Sequence, residues 1–129
     1  MKIHHLAIWT EDIDNMRNFY QTYFGMSCGE KYVNPRKQYT SYFLSFNEGD
    51  CTIELMNRPD IESVPGKRGL KYGFAHIAIS VHSEEAVDML TEGLREDGYQ
   101  IEGEPRTPGD GYYESAVLDP EGNVVEIIA

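Results

Sequence analysis

Four side chains in this 129-residue sequence have the types and spacing to bind a divalent cation: His5, Glu54, His76 and Glu126. Imidazole nitrogen and carboxylate oxygen together suit borderline ions, with one Zn²⁺, Ni²⁺ or Co²⁺ the expected occupant and Fe²⁺ or Mn²⁺ the alternatives. They fall in two pairs: His5 and Glu54 are 49 positions apart (54 − 5), His76 and Glu126 50 apart (126 − 76). His5-Leu6-Ala7-Ile8 recurs as His76-Ile77-Ala78-Ile79, and Thr52-Ile53-Glu54-Leu55-Met56 is echoed by Val124-Val125-Glu126-Ile127-Ile128. A lone strand histidine or glutamate is ordinarily a hydrogen-bonded or salt-bridged structural residue. Four in repeat-related positions point to a metal site. His4 and His82 have no echo and read as surface residues.

The elements that position these groups also read twice. Side chains alternate along a strand. Leu6 and Ile8 therefore share one face, and His5, Ala7 and Trp9 the other; Ile77, Ile79 and Val81 oppose His76, Ala78 and Ser80. The aliphatic set should cover a helix and the histidine set should lie on the concave face of a curved sheet. Glu54 and Glu126 sit in apolar strands whose flanking Ile53, Leu55, Val125 and Ile127 face the helix, so both carboxylates project to the histidine side. An unpaired carboxylate there would be costly, and a cation removes that cost.

Asp12 and Ser83 are the expected helix N-caps. Ile13, Met16, Phe19, Tyr20, Tyr23 and Phe24 mark the first apolar stripe, ended by Gly25; Val87, Leu90 and Leu94 mark the second, ended by Gly98. Three strands should follow each helix: Cys28 to Val33, Tyr39 to Phe46 and Cys51 to Met56, then Tyr99 to Glu104, Tyr112 to Leu118 and Val124 to Ile128. Asn47-Glu48-Gly49-Asp50 and Asp119-Pro120-Glu121-Gly122-Asn123 are the matching turns. The fold class is α+β: two βαβββ modules, about 1–57 and 73–129, joined by a linker at about 58–72 within one domain. Each half would bury too little alone, so the two should share a core.

The formal net charge of −11 argues against nucleic acid or an anionic membrane as partner, since phosphates would be repelled. No apolar run is long enough to span a bilayer and the start lacks a leader pattern, so the expected location is cytoplasmic. Cys28 and Cys51 lack metal-site spacing and read as two buried free thiols.

The repeated module, the four positions and the Asp119-Pro120-Glu121-Gly122-Asn123 turn before Glu126 resemble the vicinal oxygen chelate superfamily. Its members include glyoxalase I, methylmalonyl-CoA epimerase, extradiol dioxygenases and the fosfomycin and bleomycin resistance proteins. The resemblance implies paired modules forming a cupped sheet around a metal. The order His5, Glu54, His76, Glu126 is most similar to bacterial glyoxalase I; extradiol dioxygenases use two histidines and one glutamate. It further implies a metal-bound carboxylate as base, with Glu126 preferred over Glu54, and a homodimer, the four ligands coming either from two chains, His5 and Glu54 of one with His76 and Glu126 of the other, or all from one chain.

Asn57 lies close to where glyoxalase I keeps a substrate-binding Asn, whereas Trp9 stands near the place of a glutathione-holding Arg. Segment 109–115 also departs from that pattern and leaves the thiol open. Arg58 and Arg106 are candidates to hold a substrate carboxylate, and Tyr113 and Glu114 to contact substrate. Trp9, Tyr39, Tyr42, Tyr112 and Tyr113 could line a pocket. The leading expectation is a metal-dependent lyase or isomerase acting on a small α-oxo compound or its thiol adduct. The alternatives are a binding protein that sequesters an antibiotic or metabolite, and an Fe- or Mn-dependent dioxygenase.

Overall fold

A computed structural model describes residues 2–46, 51–63, 68–109 and 111–129. The expected turn Asn47-Glu48-Gly49-Asp50, linker residues Pro65 and Gly66, and Asp110 lie outside them. The chain divides into two compact units, Met1–Ser63 and Val64–Ala129.

The first unit runs β1 (His5–Trp9), α1 (Ile13–Phe24), β2 (Ser27–Cys28), β3 (Tyr32–Asn34), β4 (Tyr39–Ser45) and β5 (Thr52–Asn57). Its sheet has the order β1-β5-β4-β2, with β3 also on β4; β1 and β5 are parallel and the other pairs antiparallel. Asp12 caps α1 by accepting from the Asn15 N–H, and Gly25 closes it in the left-handed region at φ 63°. Ile13, Met16, Phe19 and Tyr20 are buried against Leu44, Ile53 and Leu55 of the sheet, as the stripe requires; Tyr23 and Phe24 are half-buried.

The single strand expected from Cys28 to Val33 is instead two short ones. Four steps separate Cys28 from Tyr32 (32 − 28), but only three separate their partners Leu44 and Ser41 (44 − 41). The extra residue breaks the ladder, and Lys31 in that break reaches Asp14 of α1 at 2.7 Å. The two cysteines are free, but neither is buried: Cys51 is exposed and Cys28 half-buried. Cys51 precedes β5, and Cys28 lies on β2, an edge strand that packs beside α1.

The second unit runs through a 3-10 turn (Arg68–Leu70), β6 (His76–Ser80), α2 (Glu84–Glu96), β7 (Ile101–Arg106), β8 (Glu114–Leu118) and β9 (Val124–Ile128). The order is β6-β9-β8-β7, with β6 and β9 parallel. Ser83 caps α2 through the Ala86 N–H. Val87 and Leu94 are fully buried and Leu90 only half, while the unforeseen Thr91 is buried and bonded to Ser115 at 2.7 Å. β7 extends through Pro105 to Arg106, two residues past its expected end. An edge strand tolerates proline, and its register on β8 slips twice.

The Asp119 turn forms as expected. One carboxylate oxygen accepts from the Glu121 and Asn123 N–H groups, fixing the reversal that leads β9 back with Glu126. Gly69 approaches Ala75 so closely that a Cβ would stand 2.4 Å from its carbonyl oxygen, which holds the 3-10 turn beside the start of β6. Among the described residues no helix is long and apolar enough to cross a membrane.

Candidate metal centre

In the first unit His5 comes from β1 and Glu54 from β5. The parallel register sets Ala7 opposite Glu54, so Glu54 and His5 are diagonal neighbours on one face. Strand burial alternates accordingly: Ile53 and Leu55 are buried, and Glu54 lies on the side open to the imidazole. His5 Nε2 stands 3.6 Å from Glu54 Oε2. The second unit repeats this register, with Ala78 opposite Glu126, and His76 Nε2 stands 3.2 Å from Glu126 Oε2.

These distances suit a shared cation. Two donors bonded to one metal at about 2.1 Å, with about 90–110° between them, lie about 3.0–3.4 Å apart. The His76–Glu126 pair falls within this range, and the His5–Glu54 pair lies just beyond it. In neither unit do three His, Cys, Asp or Glu side chains gather to hold an ion, among the described residues. Each unit brings together one imidazole and one carboxylate.

Neighbours hold the first pair in place. The Tyr39 hydroxyl donates to Glu54 Oε1 at 2.8 Å. Burial chiefly raises the Tyr39 pKa above the ordinary tyrosine value; a hydrogen bond with Ser41 opposes it and the Glu54 carboxylate adds to it, so the hydroxyl remains a donor at neutral pH. On the far side of the ring, His5 Nδ1 lies 2.9 Å from His4 Nδ1. When His5 is the donor in that contact, its Nε2 carries the free lone pair a metal requires. His4, expected as an ordinary surface residue, thus touches the candidate ligand.

Trp9, Asn57 and Arg58 gather along a cleft of roughly 200 Å³ in the first unit, closed by Pro59 and Ile61. Arg58 lies over the Trp9 ring at 5.4 Å, and Trp9 meets Tyr39 edge-to-face at 6.4 Å. The Asn57 amide donates to the carbonyls of Thr10 and Glu11 at 2.8 and 3.1 Å, tying β5 to the loop before α1. Its amide hydrogens are therefore engaged by backbone, and Arg58, whose Nε donates to Asp60, is the cation lining the cleft.

The second-unit candidates separate. Glu114 shares the face of Ala116 and hence of Glu126; its side chain is 12% exposed, with Arg106 Nη2 at 3.5 Å. Tyr113 turns to the helix side and donates to Asp88 of α2 at 2.7 Å, an interaction that raises its hydroxyl pKa. Tyr42 is likewise no pocket liner. It is buried under α1, donating to Asp14 at 2.9 Å, while Tyr112 is exposed.

Residues 2–127 match the family model described as the Glyoxalase/Bleomycin resistance protein/Dioxygenase superfamily. The chain belongs to this superfamily. Within it, the chain is 30% identical to the lactoylglutathione lyase of Haemophilus influenzae, over 99% of this chain and 92% of that one. The trypanothione-dependent glyoxalase I of Leishmania major shares 27% identity and superposes with a TM-score of 0.77, covering 99% of this chain and 86% of the other. A glyoxalase family protein from Enterococcus faecalis shares the fold at TM-score 0.77 and 24% identity, with 99% and 97% covered. Two mixed sheets, each with one helix, are thus the superfamily's arrangement in this chain.

Proposed function

We propose that this protein is a metal-dependent lyase of the glyoxalase I type, acting on a small α-oxo compound or its thiol adduct. The observation that carries the reading is the recurrence of one His–Glu geometry in both units, with ring and carboxylate at 3.6 and 3.2 Å. The similarity to a lactoylglutathione lyase supports it.

His5, Glu54, His76 and Glu126 would hold one divalent ion, Zn²⁺, Ni²⁺ or Co²⁺ by donor type. A bound ion would supply Lewis acidity toward substrate oxygen. The chain's own groups do the rest. A Glu126 carboxylate oxygen takes the proton from the carbon bearing sulfur and hydroxyl, and returns it to the neighbouring former carbonyl carbon. The product is an isomer, so no redox partner is needed. Arg58, over the Trp9 ring, would hold a substrate carboxylate in the cleft that Trp9 and Asn57 line.

The two half sets meet across a homodimer in this reading, His5 and Glu54 of one copy facing His76 and Glu126 of a second. Each unit supplies two donors where catalytic sites of this kind use three or more protein ligands. Leu70, Tyr72 and Phe74 in the second unit are 80%, 112% and 83% exposed, an apolar strip that a second copy would cover.

The test is turnover of methylglyoxal with a thiol by Ni²⁺- or Zn²⁺-loaded protein, glutathione and trypanothione being supplied in parallel. Formation of the 2-hydroxyacyl thioester with one thiol supports the proposal. Metal-loaded protein inactive with both thiols contradicts glyoxalase chemistry. Oxygen consumption with a catechol under Fe²⁺ would replace it with a dioxygenase.

A further inference from the structure

Glu54 and Glu126 occupy matching places in the two units, yet their surroundings differ. Phe43 lies opposite Glu54 on β4 and Ala116 opposite Glu126 on β8. Four residues before Phe43 is Tyr39, and four before Ala116 is Tyr112. Tyr39 is half-buried, clasped edge-to-face by Trp9 and tilted against Tyr32, with its hydroxyl on Glu54 Oε1 at 2.8 Å. Tyr112 is 60% exposed and precedes the strand. Phe43 adds a second constraint on the first pair, meeting the His5 ring edge-to-face at 5.7 Å.

We propose that Tyr39 is a positioning residue for the metal centre: its hydroxyl fixes the Glu54 carboxylate so that Oε1 is occupied and Oε2 faces the His5 nitrogen. A carboxylate on a strand has two freely populated side-chain torsions beyond χ1, and one strong bond to a packed phenol removes most of that freedom. Glu54 is thereby the fixed ligand of the set. The Trp9 and Tyr32 rings hold Tyr39 itself, so substrate entering beside Trp9 acts on the same chain of contacts. This inference rests on the metal reading above.

The experiment is Co²⁺ titration of the dialysed wild type, Tyr39→Phe and Tyr42→Phe, followed by affinity and by visible absorption. Tyr42→Phe removes a phenol of the same unit that bonds Asp14 on the helix side, and it controls for general loss of a buried hydroxyl. Tyr39→Phe is expected to weaken Co²⁺ binding about tenfold and to shift its ligand-field bands, as loss of an outer partner does. Tyr42→Phe should leave both unchanged. Thermal melts of the metal-free proteins identify any variant that has lost its fold; Tyr39→Gln, which keeps a donor, should then recover part of the affinity. Equal affinity and spectrum in Tyr39→Phe and wild type would overturn the positioning role and leave the metal reading intact. A wild type that binds no Co²⁺ would overturn both.

Discussion

Glu54 lies opposite Ala7 on the neighbouring parallel strand, two residues along from His5, and its Oε2 stands 3.6 Å from the His5 ring nitrogen. Glu126 bears the same relation to Ala78 and His76, at 3.2 Å. A parallel pair admits only a few diagonal contacts on one face, and both units select the same one.

A dimer-completed centre can be tested by mixing broken copies. Glu54→Gln and Glu126→Gln chains should each fail to retain metal alone. Unfolded together and refolded at equal amounts, they should regain about a quarter of the wild-type metal per chain, because about half the dimers are mixed and each holds one intact centre. No recovery, with mixed dimers present, would place all four ligands in one chain.

Arg58 gives a kinetic expectation. Its guanidinium lies over Trp9 and pairs through Nε with Asp60, and in the proposed reading its remaining N–H groups would meet an anionic substrate. Arg58→Ala should raise KM about tenfold with little change in kcat, the signature of lost uniform binding. Steady-state kinetics on the metal-loaded protein read this directly.

The stability of the first unit should depend on pH through Asp14. Hydrogen bonds from Lys31 and then Tyr42 hold its carboxyl below the ordinary aspartate value, with the charges of Lys31 and Arg17 assisting. A lowered folded pKa contributes stability that is fully present above the unfolded value and lost as pH falls through the folded one. Asp14 is half exposed, so the contribution is about 0.5–1 kcal/mol. Urea melts of Asp14→Asn should show that deficit at pH 7, and the deficit should vanish toward pH 2.

Thr91 and Ser115 form a buried hydroxyl pair between α2 and β8, and Thr91 also donates to the Val87 carbonyl. Thr91→Val leaves the Ser115 hydroxyl buried without that partner and should cost about 1–3 kcal/mol in urea unfolding. Adding Ser115→Ala should restore part of the loss.

Much of this was legible in the residues themselves. Period-two alternation placed His5, Glu54, His76 and Glu126 on the faces opposite the helices, and local chemistry placed the Asp12 and Ser83 caps and the Asp119 turn. The Tyr39–Glu54 bond was not legible, because it depends on how β4 aligns on β5, and Tyr39 lies four residues (43 − 39) from Phe43, the residue opposite Glu54. Tyr113 was open to the same parity reasoning that served the ligands. It shares its side of β8 with Ser115 and Val117, which face α2, whereas Glu114 and Ala116 face Glu126. Thr91 escaped because an apolar-stripe reading does not register a buried hydroxyl that finds its partner on another element. The divided strand after α1 escaped because Lys31's partner is Asp14, seventeen residues earlier.

The metal centre itself is tested most directly by metal content after loading with Ni²⁺ and exhaustive dialysis, in wild type, Glu54→Gln and Glu126→Gln. The expected result is about one ion per chain in the wild type, two centres per symmetric dimer, with loss of most of it in either variant while circular dichroism stays unchanged. A wild type that retains no ion, or variants that retain it in full, would contradict the assignment of these four residues.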